Sequence, residues 1–102
     1  MKILNFGSLN IDYTYRIDHF VKGGETISAS TMQKNIGGKG LNQSVALAKA
    51  GAEVYHAGCI GQAGYFLVKY LQENGVNTEY ILVGETATGH AIIQLDDKGQ
   101  NC

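Results

Sequence analysis

The residues best suited to chemistry lie in one segment, NIGGKGLNQS at residues 35–44, where three glycines surround Lys39. Glycines leave backbone amides uncovered, and amides at the start of a helix favour a hydroxyl-rich or anionic ligand. The spacing is not that of a Walker phosphate loop, because Gln33 stands where its first glycine would be and Gly40 follows Lys39. Gln43 likewise replaces the third glycine of a dinucleotide-binding fingerprint. A ligand-binding turn and a plain tight turn into a helix therefore both remain open.

A second polar group, Asn10 and Asp12, follows the first apolar run of the chain. Ligands of open α/β sheets bind beyond the carboxyl ends of the strands, which is where these residues would lie. Aspartate accepts hydrogen bonds, asparagine donates and accepts them, and Lys39 adds donors, a combination that suits a vicinal diol better than a phosphate. Asp12 could equally cap its own backbone in a turn. In combination with Asn42, the group favours a site for a hydroxyl-rich ligand.

The elements that would position these residues follow from hydrophobic periodicity. The apolar run at 3–7 and the segments at 54–60 and 79–83 are typical of strands. Apolar residues at helical spacing predict a helix over about 41–50 and a second one around 66–71, each followed by a glycine stop. The resulting β-α-β-α-β order predicts an α/β fold, a parallel Rossmann-like sheet with crossover helices.

Two other segments show the period-2 pattern of half-exposed strands. Residues 13–17 alternate tyrosine and isoleucine with polar residues, and residues 91–95 alternate in the same way. Residues 25–34 are extended in pattern and favour a further strand of the same small sheet. The turn at 97–99 would begin a hairpin whose second arm starts at Gln100. Because that arm stops almost at once, we expect the chain to be the front part of a longer protein.

Composition narrows the class of protein. The 102 residues carry eight Lys+Arg against nine Asp+Glu with no basic block, which argues against a nucleic-acid partner. No apolar run approaches 18 residues, which argues against a membrane partner, and no leader pattern precedes the first apolar run. Two cysteines without paired spacing indicate neither a disulfide framework nor a zinc site. A reducing, cytoplasmic location is expected.

Three residue types that often form sites are assigned ordinary structural roles. Cys59 is expected to be a small buried residue, since free cysteine is among the most buried residue types. His56, inside an apolar strand, is expected to be a hydrogen-bonded interior residue. Asp96 and Asp97 precede Lys98-Gly99 and are expected to form a solvated turn.

Four separated motifs resemble the N-terminal third of the ribokinase family of carbohydrate and nucleoside kinases. They are GSLNID at 7–12, GET at 24–26, GGKGLNQ at 37–43 and GCIG at 58–61. Thr88-Gly89 and the turn at 97–101 also resemble the family, so the resemblance covers nearly the whole chain. One departure is the segment 62–64, QAG, where the family usually has acidic residues.

The resemblance implies an ATP-dependent sugar kinase that acts on a pentose such as ribose, with Mg as the accompanying ion. Sugar hydroxyls would be bound by Asn10, Asp12, Gly38, Lys39 and Asn42. The family carries its catalytic aspartate and its ATP and magnesium groups in the C-terminal half, so this chain is expected to hold no catalytic or metal-binding residue. On its own it is expected to be inactive, because phosphoryl transfer depends on charges placed around the metal-bound phosphate.

The resemblance also implies that residues 1–102 are the N-terminal part of one domain with a small β lid, formed by strands at about 13–35 and 89–101. In ribokinases such a lid covers the sugar and makes a homodimer contact. A second interpretation is that the chain acts without catalysis, as a sugar-binding or dimerisation module.

Overall fold

The polypeptide forms two units, each discontinuous in sequence, and the computed structural model describes all residues, 1–102. The first unit comprises Met1–Ile11 and Ile36–Gly89, and the second comprises Asp12–Asn35 and His90–Cys102. In chain order the elements are β1 (Lys2–Phe6), β2 (Asn10–Arg16), β3 (Thr31–Gly37), α1 (Lys39–Lys49), β4 (Glu53–Ile60), α2 (Tyr65–Glu73), β5 (Asn77–Val83) and β6 (Gly89–Leu95). Neither helix is long and apolar enough to cross a membrane.

A three-stranded parallel sheet in the order β1-β4-β5 forms the centre of the first unit. Lys2 pairs with Glu53 and Phe6 with Ala57 across β1 and β4. Helix α1 precedes β4 and α2 precedes β5, as crossover connections between parallel strands require. The predicted α/β fold with a parallel sheet and crossover helices is confirmed.

Both helices pack against this sheet and against each other. Their apolar residues recur at intervals of four, which places them on one side of each helix. The buried side chains of this interface are Leu41 and Val45 of α1, Leu67 and Leu71 of α2, and Val54 and Ile60 of β4. The core of the first unit therefore lies on a single side of its sheet.

The opposite side of the sheet is apolar and exposed. Leu4 is 64% exposed, Phe6 84%, Tyr80 53% and Leu82 68%. Parallel sheets are usually covered on both faces, and their strands are accordingly apolar on both. The strands of this sheet keep that composition on the side away from α1 and α2.

Cys59 lies on this exposed side, so the prediction that it is buried was wrong. Successive side chains of a strand point to opposite faces. In β4 the buried positions are Val54, His56 and Ile60, and Cys59 has the opposite parity. The strand period therefore determines its exposure, whereas the general tendency of cysteine to be buried does not.

The second unit contains most of a three-stranded sheet in the order β3-β2-β6. Strand β3 begins only at Thr31, so residues 25–30, for which an extended strand was predicted, precede it. Glu25 is instead part of a tight turn, in which its backbone amide donates to the Lys22 carbonyl (3.0 Å) and its carboxylate accepts from the Lys22 amide (3.1 Å). The chain joins β2 again where the Ser30 amide donates to the Arg16 carbonyl (2.8 Å).

The turn after β6 has the predicted position, and its first residue differs from the prediction. Asp96 is only 9% exposed, and its Oδ1 accepts hydrogen bonds from the amides of Lys98 (3.0 Å) and Gln100 (2.8 Å). Gly99, with a φ of 78°, completes the turn. Asp96 is therefore not a solvated residue: its carboxylate holds the turn from inside, because it satisfies two backbone donors at once.

A surface cluster of Asp18, His19 and Glu25 stabilises the segment that follows β2. His19 Nδ1 lies 3.0 Å from Asp18 Oδ1, and Nε2 lies 2.9 Å from Glu25 Oε1. The hydrogen bond to Glu25, followed by that to Asp18, raises the pKa of His19 above its ordinary value. The bridge is therefore complete at a pH that keeps His19 protonated and both carboxylates ionised, and it weakens as pH rises through the pKa of His19 or falls through those of the carboxylates.

Candidate functional site

Two glycine turns of the first unit meet where β1 ends and α1 begins. A Cβ atom on Gly40 would lie 2.5 Å from the Cα and C atoms of Gly7, and a Cβ on Gly7 would lie 2.7 Å from the Cα of Gly40. Gly38 has a φ of 107°, and a Cβ there would lie 2.5 Å from the carbonyl oxygen of Ser8. The glycines are therefore required for close contact between two backbone segments and for a left-handed turn.

Ser8 satisfies the first amides of α1. Its carbonyl accepts a hydrogen bond from the Leu41 amide (3.0 Å), and its hydroxyl accepts one from the Gly40 amide (3.3 Å). The residue before the helix, Gly38, has no side chain to do this. The amides of Gly40 and Leu41, which could have bound a ligand, are therefore already hydrogen-bonded within the protein. For Gly40 the tight-turn interpretation is correct.

Four of the five predicted site residues lie around this junction. Asn10 begins β2 and is half-buried, and its backbone nitrogen lies 3.1 Å from the position of a Cβ on Gly38. Lys39 begins α1 and is exposed. Asn42 is exposed one turn further on, and its amide donates to the Gly38 carbonyl (3.1 Å). Asp12, two residues after Asn10 in β2, belongs to the second unit.

A cavity of about 670 Å³ opens in the first unit beyond the carboxyl ends of β1, β4 and β5. Its lining residues are Phe6, Gly7, Ser8, Leu9, Asn10, Gly58, Cys59, Leu82 and Gly89. A Cβ on Gly89 would lie 2.8 Å from Asn10 Oδ1, so the glycine leaves room for the amide of Asn10. Asn10 therefore borders both this cavity and the glycine junction, whereas Gly38, Lys39 and Asn42 do not line the cavity.

A buried hydrogen-bond chain lies next to the junction. Asn5 Nδ2 donates to the Gly40 carbonyl and to Ser44 Oγ, both at 2.9 Å. Ser44 Oγ is 2.7 Å from His56 Nδ1, and His56 Nε2 is 3.1 Å from the Gly7 carbonyl. Ser44 and His56 are 0% exposed. The expectation that His56 is a hydrogen-bonded interior residue is confirmed.

Burial lowers the pKa of His56 below its ordinary value, and its hydrogen bond to the Gly7 carbonyl opposes that change. The sequence interpretation missed the partners Asn5 and Ser44. A polar residue in the otherwise apolar run of β1 was the available signal for Asn5, and Ser44 follows Leu41 by three residues on the buried side of α1.

The segment QAG that departs from the family pattern forms a 3-10 turn, Gln62–Gly64, directly before α2. The amide of the preceding Gly61 donates to Thr88 Oγ1 (2.8 Å), and a Cβ on Gly64 would lie 2.7 Å from the same oxygen. Thr88 is 4% exposed. The start of α2 is therefore held by a buried threonine hydroxyl.

Comparison with known proteins places this geometry in a family. Residues 1–102 match the family described as pfkB family carbohydrate kinase. The ribokinase of Haemophilus influenzae is 37% identical over 98 residues, which cover 93% of this chain and 32% of that protein. The ribokinase of Arabidopsis thaliana is 39% identical over 100 residues, which cover 93% of this chain and 26% of that protein.

Solved structures of ribokinases are similar to this chain as well. The ribokinase of Cryptococcus neoformans var. grubii serotype A, in complex with ADP, superposes with a TM-score of 0.94 at 39% identity. The aligned region covers 99% of this chain and 32% of that ribokinase chain. The Arabidopsis thaliana ribokinase complexed with ribose and ATP gives a TM-score of 0.85 at 38% identity, covering 97% and 33%. The chain spans a third or less of the length of these relatives. Its motifs, its fold and its similarity to ribokinases over nearly its entire length show that the chain belongs to the pfkB family of carbohydrate kinases.

Proposed function

We propose that this chain provides the sugar-binding and lid part of an ATP-dependent sugar kinase that phosphorylates a pentose such as ribose. The observation that carries the proposal is the glycine junction, around which Asn10, Lys39 and Asn42 are grouped in one unit. The similarity to a ribokinase solved with ribose and ATP extends over 97% of this chain.

The chemistry of the grouped side chains suits a sugar. The two asparagine amides both donate and accept hydrogen bonds, and the Lys39 ammonium donates. A carboxylate from Asp12 would add a charge-assisted acceptor for sugar hydroxyls. Alternate residues of a strand point to the same face, so the period of β2 is consistent with Asn10 and Asp12 serving one ligand.

ATP and Mg do not fit the residues of this chain. No group of three or more His, Cys, Asp or Glu side chains is arranged to hold a metal ion. The glycine junction has no phosphate-loop spacing, and Ser8 already accepts its Gly40 and Leu41 amides. We therefore assign ATP and Mg to residues outside this sequence.

Ribose binding tests the function directly. Titration of ribose into the 102-residue chain, followed by amide chemical shifts, is expected to shift the signals of Asn10, Gly38, Lys39 and Asn42, with little change around the turn at 97–99, to which no sugar contact is assigned. An ADP-release assay with ATP and ribose is expected to show no turnover by the chain alone. Absence of ribose-dependent shifts would contradict the proposed site, and turnover by the pure chain would contradict the assignment of ATP outside it.

The alternative, a non-catalytic sugar-binding or dimerisation module, predicts the same binding result. Reading the gene beyond codon 102 separates the two. An in-frame continuation that encodes a glycine-rich segment followed by aspartate favours the kinase, whereas a stop codon favours the module.

We further propose that the second unit is the lid and that two copies associate through it. A groove of about 330 Å³ in this unit is lined largely by apolar side chains. Tyr15 of β2 and Ile17, the residue directly after β2, lie on it together with Ile92 of β6, which is 65% exposed. Ala91, Ile93 and Leu95, the alternate residues of β6, are half-buried, and Ile92 is the exposed apolar residue of that strand.

The dimer predicts that Ile92→Lys lowers the association constant of the chain, because a lysine charge in an apolar contact must be desolvated. Leu82→Lys is the matched control, since Leu82 is equally apolar and 68% exposed but lies on the sheet of the first unit. Light scattering over a concentration series measures the mass of both variants. A monomeric unmodified chain, or dissociation by Leu82→Lys alone, would contradict a lid contact.

A further inference from the structure

The buried chain Asn5–Ser44–His56 has a determined direction at every hydrogen bond. The Gly7 carbonyl can only accept, so the proton of a neutral His56 lies on Nε2. Nδ1 is then an acceptor, and the Ser44 hydroxyl donates to it over 2.7 Å. Ser44 Oγ in turn accepts from Asn5 Nδ2, whose second hydrogen goes to the Gly40 carbonyl. Each member fixes the orientation of the next.

The hydrogen-bond chain ends at Gly7 and at Gly40, the two glycines that contact each other. His56 holds the carbonyl of Gly7, and Asn5 holds the carbonyl of Gly40. The three side chains come from β4, α1 and β1, so the chain joins the start of α1 to two strands of the sheet. Packing of glycine against glycine provides little side-chain contact, and these directed hydrogen bonds supply the fixed geometry that such contact would otherwise give.

The hydrogen-bond chain Asn5–Ser44–His56 lies beneath the proposed sugar site and cannot contact a ligand. Ser44 and His56 are 0% exposed, whereas Lys39 and Asn42 on the same first turns of α1 are exposed. Gly40 stands between those two residues, and Gly7 precedes Ser8, the residue that accepts the α1 amides. A shift of either glycine would move the groups that we assign to the sugar.

We propose that His56 is a positioning residue for the sugar site, acting through Ser44 and Asn5 on the two glycine turns. The inference rests on the proposed function, since it concerns the affinity of that same site. Functional side chains hold productive geometry when the residues behind them are locked by hydrogen bonds. Protonation of His56 would put a second hydrogen on Nδ1, facing the hydroxyl that donates to it, so the hydrogen bond between Ser44 and His56 would have to reverse its direction or break.

No charged side chain contributes to the pKa shift of His56, whose causes are burial and the Gly7 hydrogen bond. Its hydrogen-bond partners are the Ser44 hydroxyl from α1 and the Gly7 carbonyl after β1, both uncharged. Burial lowers the pKa of His56, so the neutral form persists below the ordinary pKa of histidine and is lost only as pH falls further. Sugar affinity is therefore expected to fall on that acidic side.

Ser44→Ala tests the positioning role, and Val45→Ala is the matched control on the same helix. Val45 is buried and takes no part in the hydrogen-bond chain, so its truncation lowers stability without breaking a hydrogen bond. Calorimetric titration of ribose is expected to show about tenfold weaker binding for Ser44→Ala, the effect of leaving buried polar groups unpaired. The ribose affinity of Val45→Ala is expected to remain within about twofold of that of the unmodified protein, because this substitution leaves the hydrogen bonds of Asn5, Ser44 and His56 intact.

His56→Gln provides a readout that a purely structural role would not change. Glutamine can donate to the Gly7 carbonyl and does not titrate, so its ribose affinity should stay constant where that of the unmodified chain falls with decreasing pH. Equal affinity in Ser44→Ala and the unmodified chain, equal losses in Ser44→Ala and Val45→Ala, or the same pH profile in His56→Gln would overturn the inference alone. Absence of ribose binding by the unmodified chain would overturn the proposed function and the inference with it.

Discussion

Asp12→Ala is expected to weaken ribose binding by about ten- to a hundredfold. The proposed role of Asp12 is a charge-assisted hydrogen bond to sugar hydroxyls, and loss of such a bond costs about 1.5–3 kcal/mol. Isothermal titration calorimetry with the chain measures the affinity. In a protein that carries this segment and turns over, the same loss would appear in kcat/KM.

Two further variants sharpen this experiment. Asp12→Asn keeps a hydrogen-bond acceptor and removes the charge, so its affinity should fall between those of the unmodified chain and Asp12→Ala. Asp97→Ala removes an exposed carboxylate in the turn after β6 and should leave binding unchanged. Unaltered affinity in Asp12→Ala would place the sugar elsewhere.

Gly40→Ala is expected to lower the free energy of unfolding by about 1–3 kcal/mol or more, the cost of overpacking a closed contact. The new methyl group would lie 2.5 Å from backbone atoms of Gly7 and Ser8, which cannot rotate away as a side chain can. Denaturant unfolding followed by circular dichroism measures the change as a lower midpoint. Ribose affinity should fall as well, since α1 can accept the methyl group only by moving away from β1.

Gly23→Ala is the matched control for this substitution. A Cβ on Gly23 has no atom within 4 Å, and its backbone is not in the left-handed region. The change should therefore be neutral or slightly stabilising, because alanine restricts the unfolded chain more than glycine does. Equal midpoints for Gly40→Ala and Gly23→Ala would show that the contact between the glycine turns is loose in solution.

Local patterns predicted the elements of the first unit well. The strand-like segment at 54–60 and the four-residue spacing of Leu41 and Val45 were sufficient for β4 and α1, because a short strand-like run and an apolar helix stripe are both local signals. The start of α1 could not be located in the same way. The structure starts the helix at Lys39, two residues before the prediction, because Ser8, distant in sequence, accepts its first amides.

The site was only partly predictable for the same reason. The glycine segment marked the junction correctly, yet sequence alone could not distinguish glycines that approach a ligand from glycines that approach another backbone. The position of Gly7 opposite Gly40 decides this for Gly40, and that contact is between residues far apart in the chain. The hydrogen bonds of His56 to Ser44 and to Gly7 likewise depend on the packing of α1 and β1 against β4.

The pairing of β1 has a consequence for how the chain folds during synthesis. Its partner in the sheet is β4, in which Glu53 pairs with Lys2 and Ala57 with Phe6. During synthesis β1 therefore remains without its sheet partner, although it is largely apolar, until all of β2, β3 and α1 have followed it. Closing so long a loop is entropically costly and slows folding. A nascent chain halted before Glu53 should thus expose β1 to chaperones and proteases, and one extended beyond β4 should protect it.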